Sequence, residues 1–240
     1  MKKRSIWILV GSIIVIVAIV VVSGMVYAAH YANTVAQSQT HKASGPIAVT
    51  PTPVASSTTS NLQTFQIVSD QTTASYGVYE NLIIENNPHK QAVGTTHSVT
   101  GSFQTQTGSS PLITGMNIKV DLRTLQSDSE RRDNYIQQNT LETSTYPYAT
   151  FVSVKTEDLP TSYTDGQTVQ FKLIGNMTIH GKTNAETFTV EGKVSGDTIT
   201  GKATTTIFMT DYDMQPPNLA NIAIAQNQVD ITLDFTAKKG

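Results

Sequence analysis

The residues of this 240-residue chain that could do chemistry are few: five histidines, eighteen carboxylates and no cysteine. Thiolate catalysis, iron–sulfur clusters, cysteine zinc sites and disulfides are thereby excluded. His30, His41, His89, His97 and His180 show none of the close spacings, two or four residues apart, that bring imidazoles onto one metal ion. Asp121, Asp133, Asp211 and Asp213 could be drawn as acid–base pairs, yet each stands near a turn or on a polar face where capping and solvation are ordinary. No nucleophile elbow, phosphate loop or Ser-His-Asp ordering accompanies them. The expectation is a protein that is not an enzyme and uses neither metal nor cofactor. Two polar features stay open between structure and ligand. His180, at a strand end beside Gly181, either bonds a neighbouring loop or donates to a ligand head group, and Arg132 with Asp133 either pins a helix or meets a phosphate.

Charge narrows the partners. The formal net charge is −2, and Lys2, Lys3 and Arg4 cluster at the N-terminus, so the rest of the chain carries −5. That argues against nucleic acid. Charged residues make up 14% of the chain, against roughly 25% in an average soluble domain, and Thr, Ser, Gln and Asn take their place. Neutral polar surfaces of this kind suit β-structure outside the cytoplasm.

The elements that must position these residues show in the spacing of the apolar side chains. From Leu62 onward they recur at every second position, the period of a strand, with Gly, Pro, Asn and Asp between runs. Met116, Ile118, Val120 and Leu122 share one face, as do Phe171, Leu173, Met177 and Ile179. Phe188, Val190 and Val194 form another, joined through Ser195-Gly196-Asp197, a hairpin signal, to Ile199, Ala203, Ile207 and Met209. Val229 to Phe235 close the chain, and Phe65, Tyr76, Val78, Leu82, Val99 and Phe103 populate the early strands. Ile83 to Lys90 reads as a long loop between two of these. Ser127, three residues before Glu130, signals a capped helix running to about Thr140, with Arg131, Arg132 and Asp133 solvated and Tyr135, Ile136 and Leu141 against the sheet.

Eight or nine strands with one apolar face must cover that face. A closed barrel does so without exposed edges, and a two-sheet sandwich is the competing solution. Long runs such as Thr168 to His180 favour the barrel. Eight strands enclose a space that is either filled by side chains or able to hold one small ligand. The flexible thioethers Met116, Met177, Met209 and Met214 favour a variable apolar guest. A filled, non-enzymatic surface or adhesive module is the alternative.

The N-terminus supplies an address. Ser5 to Ala29 carries no charged side chain, and a bilayer core needs about 20 apolar helical residues. The basic flank keeps the terminus cytoplasmic. Residues 1–29 are therefore expected to be a signal anchor, or a signal peptide cut near Val26-Tyr27-Ala28. Residues 30–61, with Thr50-Pro51-Thr52-Pro53, read as a flexible stalk. Residues 62–240 read as the barrel domain, facing outward and membrane-anchored, periplasmic or secreted. Pairing with a second copy is left open.

Three stretches resemble the YceI family of bacterial secreted lipid-binding proteins. The first is Val120-Asp121-Leu122-Arg123-Thr124-Leu125 with Arg132-Asp133 and Tyr146-Pro147-Tyr148-Ala149-Thr150-Phe151, similar to that family's run of strand, helix and strand entry. The second is Gly175-Asn176-Met177-Thr178-Ile179-His180-Gly181-Lys182-Thr183. The third is Met209-Thr210-Asp211-Tyr212-Asp213-Met214, with Thr210 where the family usually has Arg. The resemblance implies an elongated eight-stranded, lipocalin-like antiparallel barrel with one short helix, whose channel holds a polyisoprenoid or other long-chain apolar lipid. The contacts expected for it are Phe65, Tyr76, Val78, Leu82, Val99, Phe103, Met116, Ile118, Phe151, Phe171, Met177, Ile179, His180, Phe188, Val190, Ile207, Met209 and Met214.

Overall fold

The alternation closes on itself. The computed structural model describes residues 45–47, 62–83, 87–106, 111–219 and 222–240. The expected membrane segment over residues 1–29 lies outside the described residues, as does the expected stalk except for residues 45–47. Twelve strands form one antiparallel sheet: β1 (Leu62–Ile67), β2 (Thr73–Leu82), β3 (Asn87–Thr96), β4 (Val99–Gln106), β5 (Leu112–Asp121), β6 (Tyr148–Glu157), β7 (Thr168–Ile179), β8 (Lys182–Ser195), β9 (Thr198–Phe208), β10 (Asn218–Leu219), β11 (Ala223–Ala225) and β12 (Gln228–Lys239).

These twelve pieces make eight staves. β1 and β2 lie along the same edge of β12, with Ile67 opposite Ala237 and Thr73 opposite Asp234, separated by the tight turn Ser69–Gln71. β3 and β4 form the next stave, broken at His97 and Ser98, and β11 leads into β12. The order then runs β5, β6, β7, β8, β9 and back to β12. Pairing of β1 with β12 shuts the sheet, which decides for the barrel over the sandwich.

Two expectations need correction here. The segment Ile83 to Lys90 is not a long loop: from Asn87 onward the backbone is β3, with Lys90 opposite Glu80 and a register shift before Leu82. Pro88 is tolerated there because β2 is the one strand that β3 pairs with among the described residues, its other edge meeting only Gln126 at Thr95, and an edge strand can spare a donor.

The second correction concerns the helix, α1 (Glu130–Tyr135), which continues as a wider π turn over Ile136–Thr140. Its cap is Ser129, whose hydroxyl accepts from the Arg132 N–H, and not Ser127. Ser127 instead donates its hydroxyl to Asp133 at 2.6 Å, and its N–H binds the same carboxylate. Asp133 is thus engaged with Ser127 and is not the partner of Arg132. Nor is Arg132 solvated: its side chain is 14% exposed and donates to Glu80 of β2 at 2.6 Å and to Asp128. This buried pair fastens α1 across one end of the barrel, the end called upper below.

Candidate ligand-binding cavity

Inward side chains in this barrel do not meet in the middle, and glycines in the wall are part of the reason. Tyr76 of β2 faces Gly94 of β3, and its ring lies where a side chain on Gly94 would be: a Cβ there would sit 2.2 Å from Tyr76 Cε1. Phe235 of β12 lies over its partner Gly201 of β9 in the same way, with the ring 2.8 Å from a Cβ at that position. Phe151 of β6 covers Gly175 of β7, where the corresponding distance is 2.5 Å. Three rings therefore pack directly over bare backbone. Ala74, Ala92, Ala149 and Ala203 add short buried side chains at other positions.

Two chambers result. The upper one, of about 710 Å³, lies beneath α1 and the π turn. The lower one, of about 140 Å³, is almost wholly apolar and runs toward Leu159 and Tyr163 in the β6–β7 connection. Ala74, Val120, Ala149, Met177 and Ile231 border both chambers, so they mark the level at which one gives way to the other.

Most of the side chains expected from the alternation border this space. Phe103, Met116, Ile118, Phe151, Phe171, Phe188 and Val190 line the lower chamber. Tyr76, Val78, Leu82, Ile179, Ile207, Met209 and Met214 line the upper one. Phe65, Val99 and His180 border neither. Phe65 stacks on Phe103, with ring centroids 5.9 Å apart, and packs on Ile199 and Ala237. Val99 is fully buried with Ala74 and Ile118 in a separate cluster.

His180 is built into a turn. It and Gly181 are the two central residues of the β7–β8 hairpin, both at positive φ, 51° and 74°, as a tight turn of this kind requires. Its Nδ1 lies 3.3 Å from the Tyr212 carbonyl, its ring meets Tyr146 at 4.6 Å, and its Nε2 is 3.7 Å from Glu142. These contacts tie the hairpin to the segment after the π turn. A residue that is both a turn former and polar carries a double meaning in sequence, and here the turn accounts for its position.

Among the described residues, the charged groups that border the chambers gather at the upper mouth, apart from Lys193 in the lower chamber. Glu80, Lys90, Asp128, Arg131 and Arg132 border that mouth, and most of that charge is spent internally: Arg132 on Glu80 and Asp128, and Lys90 on Asp128 at 3.3 Å. Just inside stands Tyr76, whose phenol is pushed up to about 12 by burial, with Asp133 adding to the effect. Glu80, Arg132 and Tyr135 at this mouth were invisible as a group in sequence, because they come from β2 and α1, about fifty residues apart.

A family model for the YceI-like domain matches residues 65–237. The chain belongs to the YceI family. Among solved structures, it is similar to a polyisoprenoid-binding domain from Saccharophagus degradans, at 14% identity and a TM-score of 0.59, covering 73% of this chain and 98% of that one. It is also similar to BcnA of Burkholderia cenocepacia, at 16% identity and a TM-score of 0.53, covering 72% and 99%. At such identities the likeness is one of fold. No curated protein matches the chain. In this YceI-family barrel the motif Gly175 to Thr183 is the β7–β8 hairpin, and Met209 to Met214 is the tight turn that carries two methionines to the upper chamber.

Proposed function

We propose that this protein binds a long-chain, isoprenoid-type lipid inside its barrel, outside the cytoplasm and held to the membrane by residues 1–29, and that it stores, sequesters or passes on that lipid without transforming it. The observation that carries the reading is the continuous apolar lining across two chambers, the larger within the roughly 300 to 1,000 Å³ usual for ligand pockets. A filled core, as an adhesive module would have, does not leave such a space. Each buried CH₂ contributes about 0.8 kcal/mol, or about 4 kcal/mol per five-carbon isoprene unit. Association costs on the order of 4 to 15 kcal/mol, which a chain of several units offsets by burial alone. The S. degradans domain, described as polyisoprenoid-binding, supports the same class of guest.

The test is extraction. The full chain purified from its native host is opened in solvent and the extract analysed by mass spectrometry, and the delipidated protein is then offered a prenyl quinone. One molecule of a prenyl lipid per barrel and saturable uptake are the expected results. A clean extract together with failure to take up quinone would overturn the reading.

A further inference from the structure

Asn176 makes a pair of bonds that the cavity does not explain. It lies on β7 between Gly175 and Met177, both buried, so its side chain points outward, away from the chambers. On the outer wall its amide closes a two-point contact with one residue of the distant chain: the Ile47 N–H donates to Asn176 Oδ1 at 2.8 Å, and Asn176 Nδ2 donates to the Ile47 carbonyl at 2.8 Å. A planar amide satisfying both the backbone donor and the backbone acceptor of one residue reads main chain alone, as a neighbouring strand would. Its neighbours across the sheet are Val152 of β6, 41% exposed, and Ala185 of β8. Ile47 is half-buried there, while Gly45 and Pro46 before it are exposed.

We propose that Asn176 is a docking point for the chain's own stalk, pinning Ile47 to the outer wall of the barrel. In the closed order β7 stands four staves from β1 in either direction, so the pin lies across the barrel from the point where the chain enters it. The fifteen Cα steps from Ile47 to Leu62 span at most about 50 Å, enough to pass around the wall. The choice of residues fits the task. Pro46 has no N–H to compete for the amide and biases the chain toward an extended path, and Ile47 offers an apolar side chain within a Ser/Thr/Pro-rich tract.

The consequence, which rests on the anchor reading above, is a change in tether. Without the pin, residues 30–61 would separate the membrane segment from the first fixed point of the barrel, and with it only residues 30–46 do.

The full chain in lipid nanodiscs tests this through hydrogen exchange at the Ile47 amide, read by mass spectrometry with residue-level fragmentation. Wild-type exchange is expected to be about tenfold slower than in Asn176→Ala, with the amides of β7 and β8 unchanged in both. Asn176→Thr is the second variant, since a β-branched residue suits an outward strand position and guards against loss of the fold. Equal Ile47 exchange in wild type and Asn176→Thr overturns the pin. Escape of the protein from the nanodisc would instead overturn the anchor, so the two failures are distinguishable.

Discussion

At the scale of single residues, the strongest constraint is a charge that has left water. Arg132 and Glu80 are 14% and 10% exposed at their side chains and 2.6 Å apart; removing Glu80 leaves Arg132 its pair with Asp128, whereas removing Arg132 takes the ion-pair partner from the buried Glu80 carboxylate. Arg132→Ala is expected to cost about 3 to 5 kcal/mol by urea unfolding. Lys155→Ala, which breaks the exposed pair with Glu157, should cost no more than about 1 kcal/mol. The Arg132–Asp133 adjacency in sequence pointed elsewhere because neighbours on a helix diverge by about 100°, whereas Glu80 is 52 positions away and only the fold brings it near. Tyr76 gives a second prediction. Its phenol is raised from 10.0 to about 12 by burial, and Tyr212, buried against Glu186, is pushed up as well. Between pH 10 and 12 the unfolded chain has lost protons that the native state keeps, so stability falls as pH rises through that window. Tyr76→Phe should lessen that fall by about 2 kcal/mol in denaturation curves recorded from pH 9 to 12.

At the scale of elements, the hollow depends on aromatic–glycine pairs across neighbouring strands. At Gly94 the atoms nearest a built Cβ all belong to the Tyr76 ring, so Gly94→Ala has one outlet: the ring swings off the wall. Lipid uptake should fall by an order of magnitude or more while stability drops by about 1 to 3 kcal/mol, and a crystal structure of the variant should show Tyr76 projecting into the upper chamber. Unchanged uptake would mean that the ring's place over Gly94 is not what keeps this chamber open. The same pairs explain what sequence could convey. Strands β5, β7 and β9 announce themselves because large apolar residues alternate with polar ones, as in Phe171, Leu173, Met177 and Ile179. Strand β3 is silent because its inward positions carry Ala92 and Gly94, too small to register as an apolar face. Hollowness is thus written in the missing side chains, which an alternation count passes over. Helix capping failed more narrowly: Ser127 and Ser129 both stand before the helix, and the carboxylate of Asp133, one turn on, draws Ser127 away from the capping position.

At the scale of the whole molecule, one continuous channel and two separate pockets make different demands on the guest. The large upper chamber and the narrow lower one share a border at Ala74, Val120, Ala149, Met177 and Ile231. A long chain that enters at the polar mouth must pass this level to bury its far end, whereas a short one need not. Ala149 is the position to exploit, since it is buried, small and exposed to both chambers. Ala149→Phe places a ring at the border and leaves the mouth intact. If the channel is used end to end, affinity should stop rising with chain length in the variant. Lipids of two or three isoprene units would bind it nearly as well as they bind wild type, while each further unit, worth up to about 4 kcal/mol when buried, would add nothing. Titration calorimetry over a homologous prenyl series distinguishes the cases. Parallel length dependence in both proteins would mean that the guest lies in the upper chamber alone, and that the lower one, lined by Phe103 and Ile199 among others, serves packing and not binding.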